Sequence, residues 1–158
     1  MLIYFITKLE ISSPKDFKKY LGKKIGYSKW VKVTQERIDA FAAATDDYQW
    51  IHTDTIKAKK SDLKTTIAHG YYTLSLLPKF VEEIWFCNNL KLILNYGSEK
   101  IRFISPVKCN SKIRGVITIF DAKDYKGGIL LTSKIEVEIK NNNKLAMSAE
   151  TLSLLYSN

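Results

Sequence analysis

The chain has 158 residues, 46% apolar and 26% charged. That length suits one domain with a sizeable core, and the composition excludes a disordered chain. The net charge of +9 favours anionic ligands such as phosphates. The densest basic run, Lys57, Lys59, Lys60 and Lys64, is interrupted by Asp54 and Asp62, reads as a solvated face and lacks any nucleic-acid motif.

The first residues, Met1 to Ile6, are apolar. The run is too short for a signal-peptide core and has no basic leader. No stretch approaches a membrane span, so a cytoplasmic location is expected. Ser13, Pro14 and Gly22 cap, open and close a short helix that carries Phe17, Tyr20 and Leu21. Residues 1–25 are read as an N-terminal helical extension of one domain spanning 1–158. Gly26 to Val33 reads as a strand. Thr34 can cap a helix to about Ala44, with Ile38, Phe41 and Ala42 on one face.

Thr45 to Thr53 has no clean period and reads as an irregular loop, followed by a short helix capped by Thr53 or Asp54. Gly70 to Phe86 is the longest apolar stretch and predicts a buried helix, kinked at Pro78. Cys87 and Cys109 stand apart with no metal-ligand spacing, as free thiols in a reducing compartment do.

The remainder reads as strands over Leu90–Tyr96, Lys100–Lys108, Ile113–Ala122, Ile129–Lys140 and Lys144–Tyr156. Ile129, Leu131, Ile135, Val137 and Ile139 alternate with polar residues. Gly127-Gly128 and Asn141 to Asn143 supply hairpin turns. Helices first and a meander after predict an α+β fold, with an antiparallel sheet on one long buried helix.

The two histidines, His52 and His69, both precede that helix. His52 follows Asp47 by five residues, and an imidazole and a carboxylate there can hold a water between them for proton transfer. Asp47 can equally cap a turn. Gly70 opens the buried helix, where unpaired N–H groups suit a developing oxyanion, although glycine also permits tight packing.

Phe41 to Asp54 (FAAATDDYQWIHTD) followed by Thr66 to Pro78 (TIAHGYYTLSLLP) resembles the signature of the MaoC-like hydratase/dehydratase family. The likeness is closest to its nodulation protein N-like branch. Val33 to Phe41, Asn95-Tyr96-Gly97, Lys100 to Phe103 and Pro106-Val107 fit that branch, so the resemblance runs from about Ser12 to Tyr156.

The resemblance implies a hotdog fold, a sheet wrapped around a central helix, usually paired as a homodimer through the sheet edges. It implies (R)-specific hydration of trans-2-enoyl-CoA to the (R)-3-hydroxyacyl thioester, or the reverse dehydration. Asp47 and His52 match the family's catalytic pair, and Gly70 matches the backbone donor to the thioester carbonyl. Gln49, Trp50, His69 and Tyr71 are candidate pocket residues, with Tyr48 and Tyr72 as possible tunnel walls or plain core. No metal or other cofactor is implied. Coenzyme A belongs to the substrate, and an acyl-carrier-protein thioester is the other carrier.

Two departures are visible. Asp46 stands where the family often has Gly, and Pro78 stands where some hydratases have a Ser. Rival functions are a hotdog acyl-CoA thioesterase and a non-catalytic acyl-thioester binding protein. Nucleic-acid and membrane partners are not expected.

Overall fold

The computed structural model describes residues 8–158. The apolar run Met1 to Ile6 lies outside them. Strand β1 (Leu9–Ile11) leads into a 3-10 helix, Pro14–Tyr20, then β2 (Lys24–Tyr27) and β3 (Val31–Lys32). Helices α1 (Gln35–Thr45), α2 (Trp50–Thr53), α3 (Thr55–Lys60), α4 (Gly70–Ser75) and α5 (Leu77–Ile84) follow. The chain ends with β4 (Trp85–Cys87), β5 (Leu92–Phe103), β6 (Lys112–Tyr125), β7 (Gly128–Ile139) and β8 (Leu145–Tyr156).

The main sheet has the order β2-β6-β7-β8-β5, with β3 also on β6, and all its pairings are antiparallel. Its core-facing residues include Ile117, Ile135, Val137, Met147 and Ala149, all buried in one cluster with Phe80 and Ile84 of α5. The sheet wraps the α4–α5 helix pair, which is the hotdog arrangement that the resemblance implies. No helix among the described residues is long and apolar enough to cross a membrane.

The helix meets the sheet most closely at Phe80 and Gly115. A Cβ on Gly115 would stand 2.7 Å from Phe80 Cβ, so only glycine admits the ring there. Gly115 is fixed by Ser28, whose N–H donates to its carbonyl at 2.9 Å and whose Oγ accepts its N–H at 2.9 Å.

Several expectations change in detail. The central helix is two helices, because Leu76 departs from regular helix geometry (φ −82°, ψ −10°) and Pro78 opens α5. It stops at Ile84, not Phe86. Trp85 turns extended, and β4 pairs in parallel with β1.

The N-terminal segment is not a mere extension. Ile11 and Phe17 lie in the core, and the Phe17 ring meets Trp85 edge-on at 4.8 Å. Its helical turn is capped as the sequence predicts in place, with Ser13 N–H and Oγ both donating to Asp16 Oδ2.

Gly26 to Val33 divides into β2 and β3 where Ser28 turns to Gly115. The two strands expected over 90–108 are one strand, β5, which ends at Phe103 rather than Lys108 and has register shifts between Asn95 and Gly97 and between Glu99 and Arg102. The bulges absorb the residues that read as a break. The β6–β7 turn is Lys126-Gly127, both at positive φ, one residue before the glycine pair.

Candidate active site

Helix α1 ends at Asp46, which sits in the left-handed region (φ 56°, ψ 22°). That position explains why glycine is suited to it: a side chain costs about 1 kcal/mol there. Asp46→Gly is expected to raise the unfolding free energy by about 0.5–1 kcal/mol, part of the gain being offset by the freer unfolded chain. A urea titration checks it, and a lower midpoint would refute the strain. Asp46 is exposed and the Asp47 side chain is 45% exposed, so the two are not buried together.

The turn carries the chain from Asp47 into α2, a single helical turn within the segment that reads as a loop. This turn holds His52, which is 6% exposed. Asp54 then caps α3 by accepting the Lys57 N–H at 2.8 Å. The returning segment, 61–69, is stitched on both sides. Ile67 N–H donates to Ile51 O, and Ala68 N–H donates to Val107 O.

This stitching places the Ile67 carbonyl 2.7 Å from His52 Nδ1. A carbonyl only accepts, so Nδ1 carries the ring proton and Nε2 keeps a free lone pair. Gln35 of α1 completes the frame. Its Nε2 donates to the His52 carbonyl at 2.8 Å, and its Oε1 accepts from buried Thr66.

One ligating atom each of Asp47, His52 and His69 falls within 4.8 Å of the others. The Asp47 carboxylate and the His52 ring are thus close enough for one water, hydrogen-bonded at about 2.8 Å to each, to bridge them. Burial pushes the His52 imidazole below its ordinary range. The Ile67 hydrogen bond opposes that shift, His69 adds to it, and Asp47 opposes it.

A cavity of about 250 Å³ joins His52 to Gly70, with Thr73, Phe103 and Ile104 on its walls. The first N–H groups of α4 have no acceptor within their own helix. A Cβ on Gly70 would meet the Phe103 ring at 3.0 Å, so glycine here also serves tight packing. A second cavity of about 700 Å³ lies farther along the same elements, between α4–α5 and strands β5 and β8. Leu77, Val81, Trp85, Ile93 and Leu152 contribute its apolar walls.

The MaoC like domain family matches residues 16–141, most of the chain. The chain belongs to this MaoC-like family.

Among relatives, it is 39% identical over 132 residues to 3-hydroxyacyl-thioester dehydratase Z of Mycobacterium tuberculosis, spanning 83% of this chain and 87% of that protein. It is 36% identical over 153 residues to nodulation protein N of Rhizobium meliloti, spanning 90% and 91%. The fold is similar to R-hydratase PhaJ1 from Pseudomonas aeruginosa in its unliganded form, with TM-score 0.71 and 17% identity over 87% of this chain and 83% of that one. It is similar also to a structure described as a monoamine oxidase regulatory protein from Archaeoglobus, with TM-score 0.74 and 21% identity over 96% and 99%.

Within this MaoC-like site, the sequence-predicted residues separate into two groups. Asp47 lies beside His52, which shares the small cavity with Gly70, although Asp47 itself lines neither cavity. Gln49, Trp50 and Tyr71 line neither cavity. Gln49 instead offers its carbonyl to His52 N–H, Trp50 lies under the Lys57 ammonium at 4.8 Å, and Tyr71 is 68% exposed. Tyr48 is exposed, and Tyr72 is core. His69 lies behind His52 rather than on a wall. Pro78 and Ser75 line the larger cavity, and the Ser75 hydroxyl donates to the Tyr71 carbonyl.

Gln35, Thr66 and Phe103 were not singled out as site residues. All three nevertheless stand inside the stretches that carry the resemblance, which is the signal that points to them.

Proposed function

We infer that the protein is a hydro-lyase that adds water to trans-2-enoyl thioesters, giving (R)-3-hydroxyacyl thioesters, or removes it. The observation that carries this reading is the single cavity shared by His52, with its bare Nε2, and Gly70, beside the Asp47 carboxylate. MaoC-like membership supports it, as does the thioester dehydratase relative.

Water held between Asp47 and His52 loses a proton to His52 Nε2 as its oxygen bonds to C3. The π electrons move through C2 onto the thioester oxygen, where the Gly70 N–H stabilises the charge. One backbone donor of this kind is worth about 3 kcal/mol of barrier. The enolate then collapses, and C2 takes a proton back from the imidazolium. Water has been added and both residues are restored. Asp47 accepts the second water proton as a hydrogen bond and orients the attack.

This chemistry needs no metal or redox group. The His52 and His69 rings are stacked with centroids 3.7 Å apart, and an ion ligated in the plane of one ring would lie out of the plane of the other, which suits packing better than a shared ion. Coenzyme A enters as part of the substrate, and the +9 charge suits its phosphates or an acidic carrier protein. The larger apolar cavity suits the acyl chain. The unpaired thiols Cys87 and Cys109 suit the cytoplasm.

The experiment is hydration of crotonyl-CoA, followed by loss of the enoyl absorbance together with a thiol assay. Absorbance loss without thiol release supports the hydratase. Thiol release assigns a thioesterase. No turnover on CoA or carrier-protein thioesters assigns a binding protein.

We further propose that the working unit is a homodimer joined at β5. This strand ends the sheet, and Leu92, Leu94 and Tyr96 are exposed on it, while Ile93 and Asn95 face the large cavity. An open apolar edge is a pairing surface. Sedimentation is expected to give twice the 18.2 kDa chain mass, and Leu94→Glu to give a monomer. A monomeric parent would overturn the proposal.

A further inference from the structure

His69 is 3% exposed and touches each part of the site without lining it. Its ring stacks on His52 with centroids 3.7 Å apart and planes 26° apart, and Phe41 lies against it at 5.1 Å. Its Nε2 is 3.0 Å from the Asp47 carbonyl oxygen. Because a carbonyl only accepts, Nε2–H is the donor, and Nδ1 is left bare. That bare Nδ1 is buried with no hydrogen-bond partner among the described residues. A side chain that served only to fill the turn would not need an imidazole left half unsatisfied, since apolar residues fill space without that penalty.

The carboxylate and the imidazole sit on separate elements. Asp47 is on the link after α1, and His52 is on α2. Ile67 fixes His52 in the plane of its ring, and nothing in that bond fixes the Asp47 backbone. We propose that His69 is a positioning residue: one side chain that ties the Asp47 main chain and the face of the His52 ring together, and so sets the separation across which the water is held. The inference rests on the hydration reading for its kinetic arm only.

The groups facing the His52 ring are His69 from the segment before α4, the Asp47 carboxylate and the Ile67 carbonyl. From α1, Gln35 reaches only the His52 backbone. Protonating His52 against a stacked second imidazole is unfavourable, and His69 accordingly adds to the burial that already disfavours the charged ring.

The test uses the full chain with His69→Leu, which removes both contacts, and His69→Gln, which restores an N–H donor toward Asp47 without the ring. The chain has two histidines, so either variant leaves His52 as the only imidazole and its NMR titration is unambiguous. The expected result is an upward shift of the His52 titration in both variants. In His69→Leu, kcat on crotonyl-CoA falls about 10- to 100-fold, as small misplacements do, with KM little changed, and His69→Gln recovers part of the loss. Should His69→Leu fail to fold, the His69→Gln titration stands alone as the measure. A His52 titration that matches the parent overturns the inference whatever the activity does, and so does a folded His69→Leu with parental kcat. If the parent hydrates nothing, the functional reading fails separately, and the titration still judges the positioning.

Discussion

His52→Ala and Asp47→Asn are each expected to lower kcat/KM for crotonyl-CoA by at least about 100-fold, the size of effect that a positioned acid/base group supplies. His52 is the larger loss. Of the pair, it alone lines the cavity that holds Gly70, and with Nδ1 committed to the Ile67 carbonyl its Nε2 keeps a bare lone pair. Asp47→Asn keeps the size and one acceptor oxygen, so its effect isolates the charge that orients the water.

Both variants should stay folded. His52 is held through its backbone by Gln35 and Gln49 as well as by its ring, and the half-exposed Asp47 side chain makes only long contacts, 3.5 Å to Gln49 N and 4.0 Å to His69 Nε2. A folded His52→Ala enzyme within about threefold of the parent would remove His52 from the mechanism.

The pH dependence follows from the same ring. Hydration needs His52 neutral, so activity is complete above its pKa and is lost as pH falls through it. Burial, the largest cause, lowers that pKa, which places the acid limb of kcat/KM below about 6.5, the free histidine value. Stability moves in the same sense. Between the folded and the free value, the unfolded chain binds more protons, so stability falls as pH falls through that window.

Phe80→Ala is expected to destabilise the protein by about 3–5 kcal/mol. The ring is fully buried against Gly115, where no side chain stands. Truncation therefore opens a hole that β6 has no means of filling, since Gly115 has only a hydrogen and its backbone is pinned by Ser28. For a domain of this size, the thermal midpoint falls on the order of 10 °C. Calorimetry checks it. A loss under about 1 kcal/mol would show that the helix can settle onto the sheet, contrary to a locked contact.

How far the sequence carries the fold is clear from particular elements. The alternation of Ile129 to Ile139 marks β7 because a half-buried strand needs period two, and the structure buries those residues in turn. The α1 helix runs as its apolar face predicts because Ile38 and Ala42 fall one turn apart. Gly97 to Glu99 misleads because bulges in a paired strand carry the same residues as a break, and only the partner strand β8 tells them apart. Trp85 to Cys87 misleads because an apolar run has no period of its own, and the strand forms only where β1 meets it.

The candidate site divides in the same way. Asp47, His52 and Gly70 are legible because their residue types and order stand in the quoted stretches of the chain. Gln49, Trp50 and Tyr71 share those stretches yet line neither cavity, since the turn at Asp46, the single turn of α2 and, for Tyr71, the exposed face of α4 set directions that spacing does not encode. The sequence by itself determined the α+β class, an antiparallel sheet on a buried helix, because periodicity is a local property, and its resemblance to the MaoC-like family pointed to Asp47 and His52 as the candidate acid/base pair. Only the tertiary structure decided the free nitrogen of His52, the stack of His69 upon it and the lock of Phe80 on Gly115. Each of these is a contact between segments far apart in the chain, fixed by the packing of the whole domain.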